Sequence, residues 1–142
     1  MILSIDPGGT TGVALWTCTG RLLENYKCGY EDAMRVIARA DPELTDVVYE
    51  DFRLLQGKAV RQSGSRFEAV QVIGCIKTMA ILRPNISIHR QNPQILRVAA
   101  LHSNTDVPLN SHIDDAVSAY LHGYYYFESV GILRPLSTAA RV

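Results

Sequence analysis

The sequence predicts an α/β domain built on a mixed, five-stranded sheet. Three observations point there. Three short β-rich segments separated by turns fill the first 28 residues. Two further β-rich runs are then set apart by stretches of helical periodicity. A length of 142 residues, 47% apolar and 20% charged, suits one domain over residues 1–142 with a single core.

The elements follow in order. Ile2–Asp6 reads as a short buried strand closed by Pro7-Gly8-Gly9. Gly12–Trp16 and Arg21–Lys27 are the second and third strands, joined by a turn at Thr17–Gly20. Glu31–Ala40 places Ala33, Val36, Ile37 and Ala40 at helical spacing, and Asp41-Pro42 stops it. Asp46–Asp51 is the fourth strand, and Leu54–Ser65 a basic, glycine-containing loop. Ser65–Leu82 is a helix of about five turns with apolar residues at 67, 70, 73, 76 and 79–80. Ile86–Arg90 is the fifth strand. Asn92-Pro93 then caps and opens a short helix running to Leu101. Ser111 caps the last helix with Asp114 as its reciprocal partner, and its buried stripe runs through Ile113, Ala116, Val117, Tyr120, Leu121 and Tyr124.

Composition excludes several classes. No apolar run approaches the ~20 residues that span a bilayer. MILSIDPGG lacks the basic start of a secretory signal, so a cytoplasmic protein is expected. Cys18, Cys28 and Cys75 have neither the parity of a disulfide framework nor zinc-type spacing. Net charge is zero but segregated: −5 over residues 1–51, +7 over 52–102 and −2 over 103–142. A basic middle third is suited to phosphate, although charges from different segments can also interleave in space.

The residues able to do chemistry sit at element ends. Asp6 closes the first strand before a Pro-Gly-Gly turn, and Glu50 ends the fourth. If those strands run parallel, both carboxylates emerge at the edge where α/β sheets bind ligands. His112 and Asp115, three apart in the first turn of the last helix, share a face. Taken singly, each has a plain structural explanation: an Asx-type turn, a solvated acid, a helix-dipole partner. Together they form a set of oxygen and imidazole donors suited to Mg²⁺ or Mn²⁺. Two such ions ~4 Å apart activate water and stabilise the leaving oxygen of a phosphodiester.

ILSIDPGGTTGVALW, VVYEDF and SHIDDAVSAYLHG resemble, in order and spacing, the RuvC-type Holliday-junction resolvases of the ribonuclease H-like superfamily. The first motif alone is also similar to the phosphate strand of sugar kinases and actin-like ATPases, which need a second domain. The resolvase resemblance extends over nearly the whole chain and implies a ribonuclease H-like fold with helices on both faces of the sheet. It carries a metal-binding and catalytic tetrad onto Asp6, Glu50, His112 and Asp115, holding two Mg²⁺ or Mn²⁺ ions. His112 replaces the commoner Asp, and the length is closer to compact phage-type members, which act in the host cytoplasm.

The same resemblance implies a homodimer nicking branched DNA, with no membrane partner. It places Phe52 as an aromatic stacking at the junction centre and Arg90 and Arg97 near the scissile phosphate. Arg53, Lys58, Arg61 and Arg66, four cations without an acid between 52 and 66, are the candidate backbone contacts. Core anchoring of Phe52 and simple solvation of the cations are their ordinary alternatives. Tyr124–Phe127 read as core, and His89, His102 and His122 as structural. Other functions open to this fold are cleavage of flaps, forks or RNA–DNA hybrids, and an inactive DNA-binding scaffold.

Overall fold

The computed structural model describes residues 1–51, 65–107 and 112–134, and the side chains from Phe67 onward in its second segment. The elements are β1 (Ile2–Asp6), β2 (Thr10–Trp16), β3 (Leu22–Gly29), α1 (Tyr30–Ala38), β4 (Asp46–Glu50), α2 (Ser65–Leu82), β5 (Ser87–Gln91), α3 (Ile95–His102) and α4 (Asp115–Ser129). The five strands form one sheet in the order β3-β2-β1-β4-β5. The β1–β2 and β2–β3 pairs are antiparallel, whereas β4 runs parallel to both β1 and β5.

Side-chain alternation along the strands splits the core between two faces. Leu3, Ile5, Val13, Val47 and Tyr49 pack against Ile37 of α1 and against Val72, Ile76 and Met79 of α2. Ile2, Ala14, Trp16 and Val48 pack on the other face against Ala119, Tyr124 and Phe127 of α4, and α3 closes over Leu121. Helices therefore cover both faces of the mixed sheet.

Several boundaries differ from the sequence expectation, each for a local reason. The α1 helix ends at Ala38 because, after Arg39 N donates to Arg35 O at 3.0 Å, the Ala40 amide bonds three residues back to the Ile37 carbonyl at 3.2 Å, which tightens the last turn before Pro42 is reached. The α3 helix starts at Ile95: Asn92 Oδ1 accepts from Gln94 N at 2.9 Å, holding Asn92-Pro93 in a turn ahead of it. In α4, Asp114 is itself the N-cap, extended at ψ 135°, and its Oδ1 accepts from Ala116 N at 3.0 Å. The helix thus begins at Asp115, and His112 lies before it; Ser111 lies outside the described residues.

Burial also departs from periodicity in the two long helices. In α2 the buried residues are Ala69, Val72, Ile76 and Met79, while Phe67 and Val70 face outward. Its apolar residues run around the whole circumference, so spacing alone cannot choose the core face. The α4 helix is buried on two sides, against the sheet and against α3, with Ser118, Ala119, Leu121, His122, Gly123, Tyr124 and Phe127 all inside. No helix among the described residues is long and apolar enough to cross a membrane.

Candidate active site

Two glycines set how closely α4 seats on the sheet. A methyl at Gly123 would overlap the Trp16 indole and approach Ser4 Oγ within 2.7 Å. The space is used by polar contacts: Trp16 Nε1 donates to Ser4 Oγ at 2.9 Å, and Ser4 Oγ donates to Ala119 O at 2.7 Å. A methyl at Gly12 would overlap the backbone carbonyl of Asp115. Gly12 is the register partner of Asp6 on β1 and of Lys27 on β3. The start of α4 therefore rests on the strand beside Asp6, and Lys27 Nζ fixes it from the other side through Asp114 Oδ2 at 2.6 Å.

Asp6 leads into a loop pinned by Thr11, whose Oγ1 donates to Gly8 O at 2.8 Å and accepts from Gly8 N at 3.3 Å. Because β1 and β4 are parallel, Glu50 emerges at the same sheet edge. The result is a cleft of about 480 Å³ lined by Asp6, Glu50, His112, Asp115, Ser118 and the Gly8–Gly9 backbone. All four candidate site residues reach it. His112 does so from an exposed position, 84% accessible, with Nε2 3.9 Å from Asp115 Oδ1.

Burial and neighbouring carboxylates raise two of these acids, Asp6 and Asp115. Burial, then the neighbouring Glu50 and Asp115, push Asp6 up to about 7, with Ser118 opposing. Burial also raises Asp115, and His112 and Lys27 partly offset this. The Ser118 hydroxyl is buried and turned toward Asp6, yet it stands outside hydrogen-bond geometry and has no partner among the described residues. No three His, Cys, Asp or Glu groups among the described residues are already gathered as a metal cage. The donor set nonetheless fits a hydrated divalent cation: hard carboxylates that repel one another without a counter-charge, and an orphaned hydroxyl able to bond a coordinated water.

Two of the other predicted contacts are described and lie outside the cleft. Arg90 on β5 and Arg97 on α3 are exposed and do not line the cleft, and Arg90 Nε is 3.7 Å from Asp51 Oδ2. Phe52, Arg53, Lys58 and Arg61 fall outside the described residues, as does the side chain of Arg66. Of the histidines expected to be structural, His89 binds Asp46 at 2.7 Å and His102 binds Glu128 at 2.7 Å, both away from the cleft. His122 instead touches Glu50 at 2.9 Å. Sequence reasoning missed Gly12, Ser118 and His122. The signal for the last two was present, since Asp115, Ser118 and His122 form a polar i, i+3, i+7 stripe on a largely apolar helix.

The architecture matches that of known proteins. T. thermophilus RuvC in complex with a Holliday junction substrate superposes with a TM-score of 0.53 at 17% identity, covering 95% of this chain and 99% of that one. Fowlpox virus resolvase, in complex with its substrate Holliday junction DNA, gives a TM-score of 0.59 at 18% identity, covering 91% and 99%. The fold is that of the RuvC-like resolvases. No protein-family model matches the sequence, and no curated protein does. What the chain shares with these resolvases at 17–18% identity is the architecture, a mixed five-stranded sheet with helices on both faces.

Proposed function

We propose that the chain is a structure-selective endonuclease that hydrolyses phosphodiesters in four-way and other branched DNA, using Mg²⁺ or Mn²⁺. The observation that carries this reading is the convergence of Asp6, Glu50 and Asp115 on one cleft of a resolvase fold. Asp6, Glu50, Asp115 and His112 would hold two ions. When bound, such ions lower the pKa of water and neutralise charge on the reacting phosphate.

The protein's own groups set the conditions. Asp6, buried and flanked by acids, keeps its proton up to about pH 7 in the absence of a cation, and it must release that proton to serve as a ligand. Ser118 Oγ is free to donate to a water or phosphate oxygen in the cleft. A panel of synthetic four-way junction, fork, flap, RNA–DNA hybrid and linear duplex tests the substrate class. The junction is expected to be cut fastest; equal rates on linear duplex would refute structure selectivity.

His112 is proposed as the fourth ligand, reaching the ions from its exposed position beside Asp115. Imidazole is softer than the carboxylate it replaces, which favours Mn²⁺ over Mg²⁺. His112→Asp is expected to lower the Mn²⁺/Mg²⁺ activity ratio. An unchanged ratio would remove His112 from the ligand set.

A homodimer through α2 is also proposed. Phe67 is 69% and Ile81 79% accessible, and with Val70 they make an outward apolar stripe around Gly74. Ile76 and Met79 of the same helix are buried in the chain's own core and face away from this stripe. Sedimentation at micromolar concentration should give a dimer, and Val70→Glu with Ile81→Glu should give a folded monomer. A monomeric wild type would contradict the assignment.

A further inference from the structure

Glu50 is held by a residue that the expected tetrad does not include. His122 is completely buried on α4, two turns after Asp115, with its Nε2 2.9 Å from Glu50 Oε2. Its Nδ1 lies 2.7 Å from Gln91 Oε1. Glu50 and Gln91 are register partners on β4 and β5, so one imidazole bridges both strand ends beside the cleft. An ionised carboxylate only accepts hydrogen bonds, so Nε2 carries the hydrogen in this contact.

Burying an imidazole has a desolvation cost that an aliphatic side chain at this fully buried position would avoid. What the imidazole gains is a fixed partner for a carboxylate that still keeps 23% exposure and could otherwise turn into solvent. We infer that His122 is a positioning residue: it holds Oε2 of Glu50 so that Oε1 is the oxygen left for a divalent cation. The inference rests on reading the cleft as a metal-dependent nuclease centre. It gives Glu50 a supporting partner of the kind that orients metal ligands, anchored in turn by Gln91.

Two conservative variants separate positioning from packing. The amide nitrogen of Gln reaches about as far as Nε2, and that of Asn about as far as Nδ1. His122→Gln therefore keeps a donor for Glu50, whereas His122→Asn loses it and keeps a group near Gln91. Calorimetric titration with Mn²⁺, without DNA, is expected to show H122N weakened about 10–100-fold and H122Q within about threefold of wild type. On junction DNA, H122N should lose kcat and need more metal, with KM for the junction unchanged.

Equal Mn²⁺ affinity in wild type, H122Q and H122N would overturn the inference and leave His122 a packing residue. A wild type that binds Mn²⁺ but cuts no branched DNA would remove the nuclease reading, while the three titrations would still decide the role of His122. A wild type that binds no Mn²⁺ overturns both. If H122N does not fold, long-range ¹H–¹⁵N spectra of the wild type decide instead. Saturable shifts of the His122 ring on Mg²⁺ titration support positioning, and unmoved resonances overturn it.

Discussion

Asp6→Asn is expected to abolish cleavage and, at pH 8, to make the protein more stable. The cleavage loss should be at least about 10³-fold, exceeding the 10²–10³ that follows removal of one oxyanion donor, because a charged ligand is lost. The stability gain follows from linkage. Asp6 titrates near 7 in the folded chain against an ordinary 3.8, so the folded state binds more protons than the unfolded state between those values. Stability from this group is fully present below about pH 4 and falls as pH rises toward 7. About three units at 1.36 kcal/mol each bound the loss near 4 kcal/mol, and partial solvent access brings it nearer 2. Asn has no charge to desolvate or repel, so the variant should melt several degrees higher at pH 8 in chelator and show a flatter stability profile from pH 4 to 7. A melting temperature equal to wild type throughout would show that the three acids do not repel as described.

Gly12→Ala is expected to damage both fold and activity, though Gly12 has no reactive group. Its added methyl must overlap the Asp115 carbonyl, a backbone atom that cannot turn aside. Either β2 or the start of α4 moves, at an overpacking cost of about 1–3 kcal/mol. The movement displaces Asp115 relative to Asp6, and a shift near 1 Å typically reduces rate about 10²-fold. Melting in chelator and single-turnover cleavage measure the two effects. A variant that melts lower but cleaves at the wild-type rate would mean that α4 seating does not govern the site.

The fold was legible because each local signal agreed with the global one. Pro-Gly-Gly after Asp6 marks the real end of β1 and the period-two runs mark real strands, whereas α1 closes at Ala38, ahead of the Asp41-Pro42 stop. The strand-end acids were legible for the same reason: parallel β1 and β4 put Asp6 and Glu50 at one edge. What escaped depends on contacts between distant segments. Nothing local to Gly12 says that a helix a hundred residues later will rest on it. His122 shares a polar stripe with Asp115 and Ser118, but its partners Glu50 and Gln91 come together with it only when β4, β5 and α4 are assembled. The start of α4 was misplaced because Ser111 and Asp114 both have capping chemistry, and only the extended backbone of Asp114 decides between them. The face of α2 escaped because Phe67, Val70, Val72, Ile76 and Ile81 leave no polar side to orient the helix.

The most direct test of the central claim is a time course on an end-labelled synthetic four-way junction with wild-type protein in Mg²⁺, in Mn²⁺ and in chelator. The proposed metal-dependent cleft of Asp6, Glu50 and Asp115 predicts nicking of the junction in either cation and none in chelator. An intact junction in both cations, or nicking that persists in chelator, would contradict it.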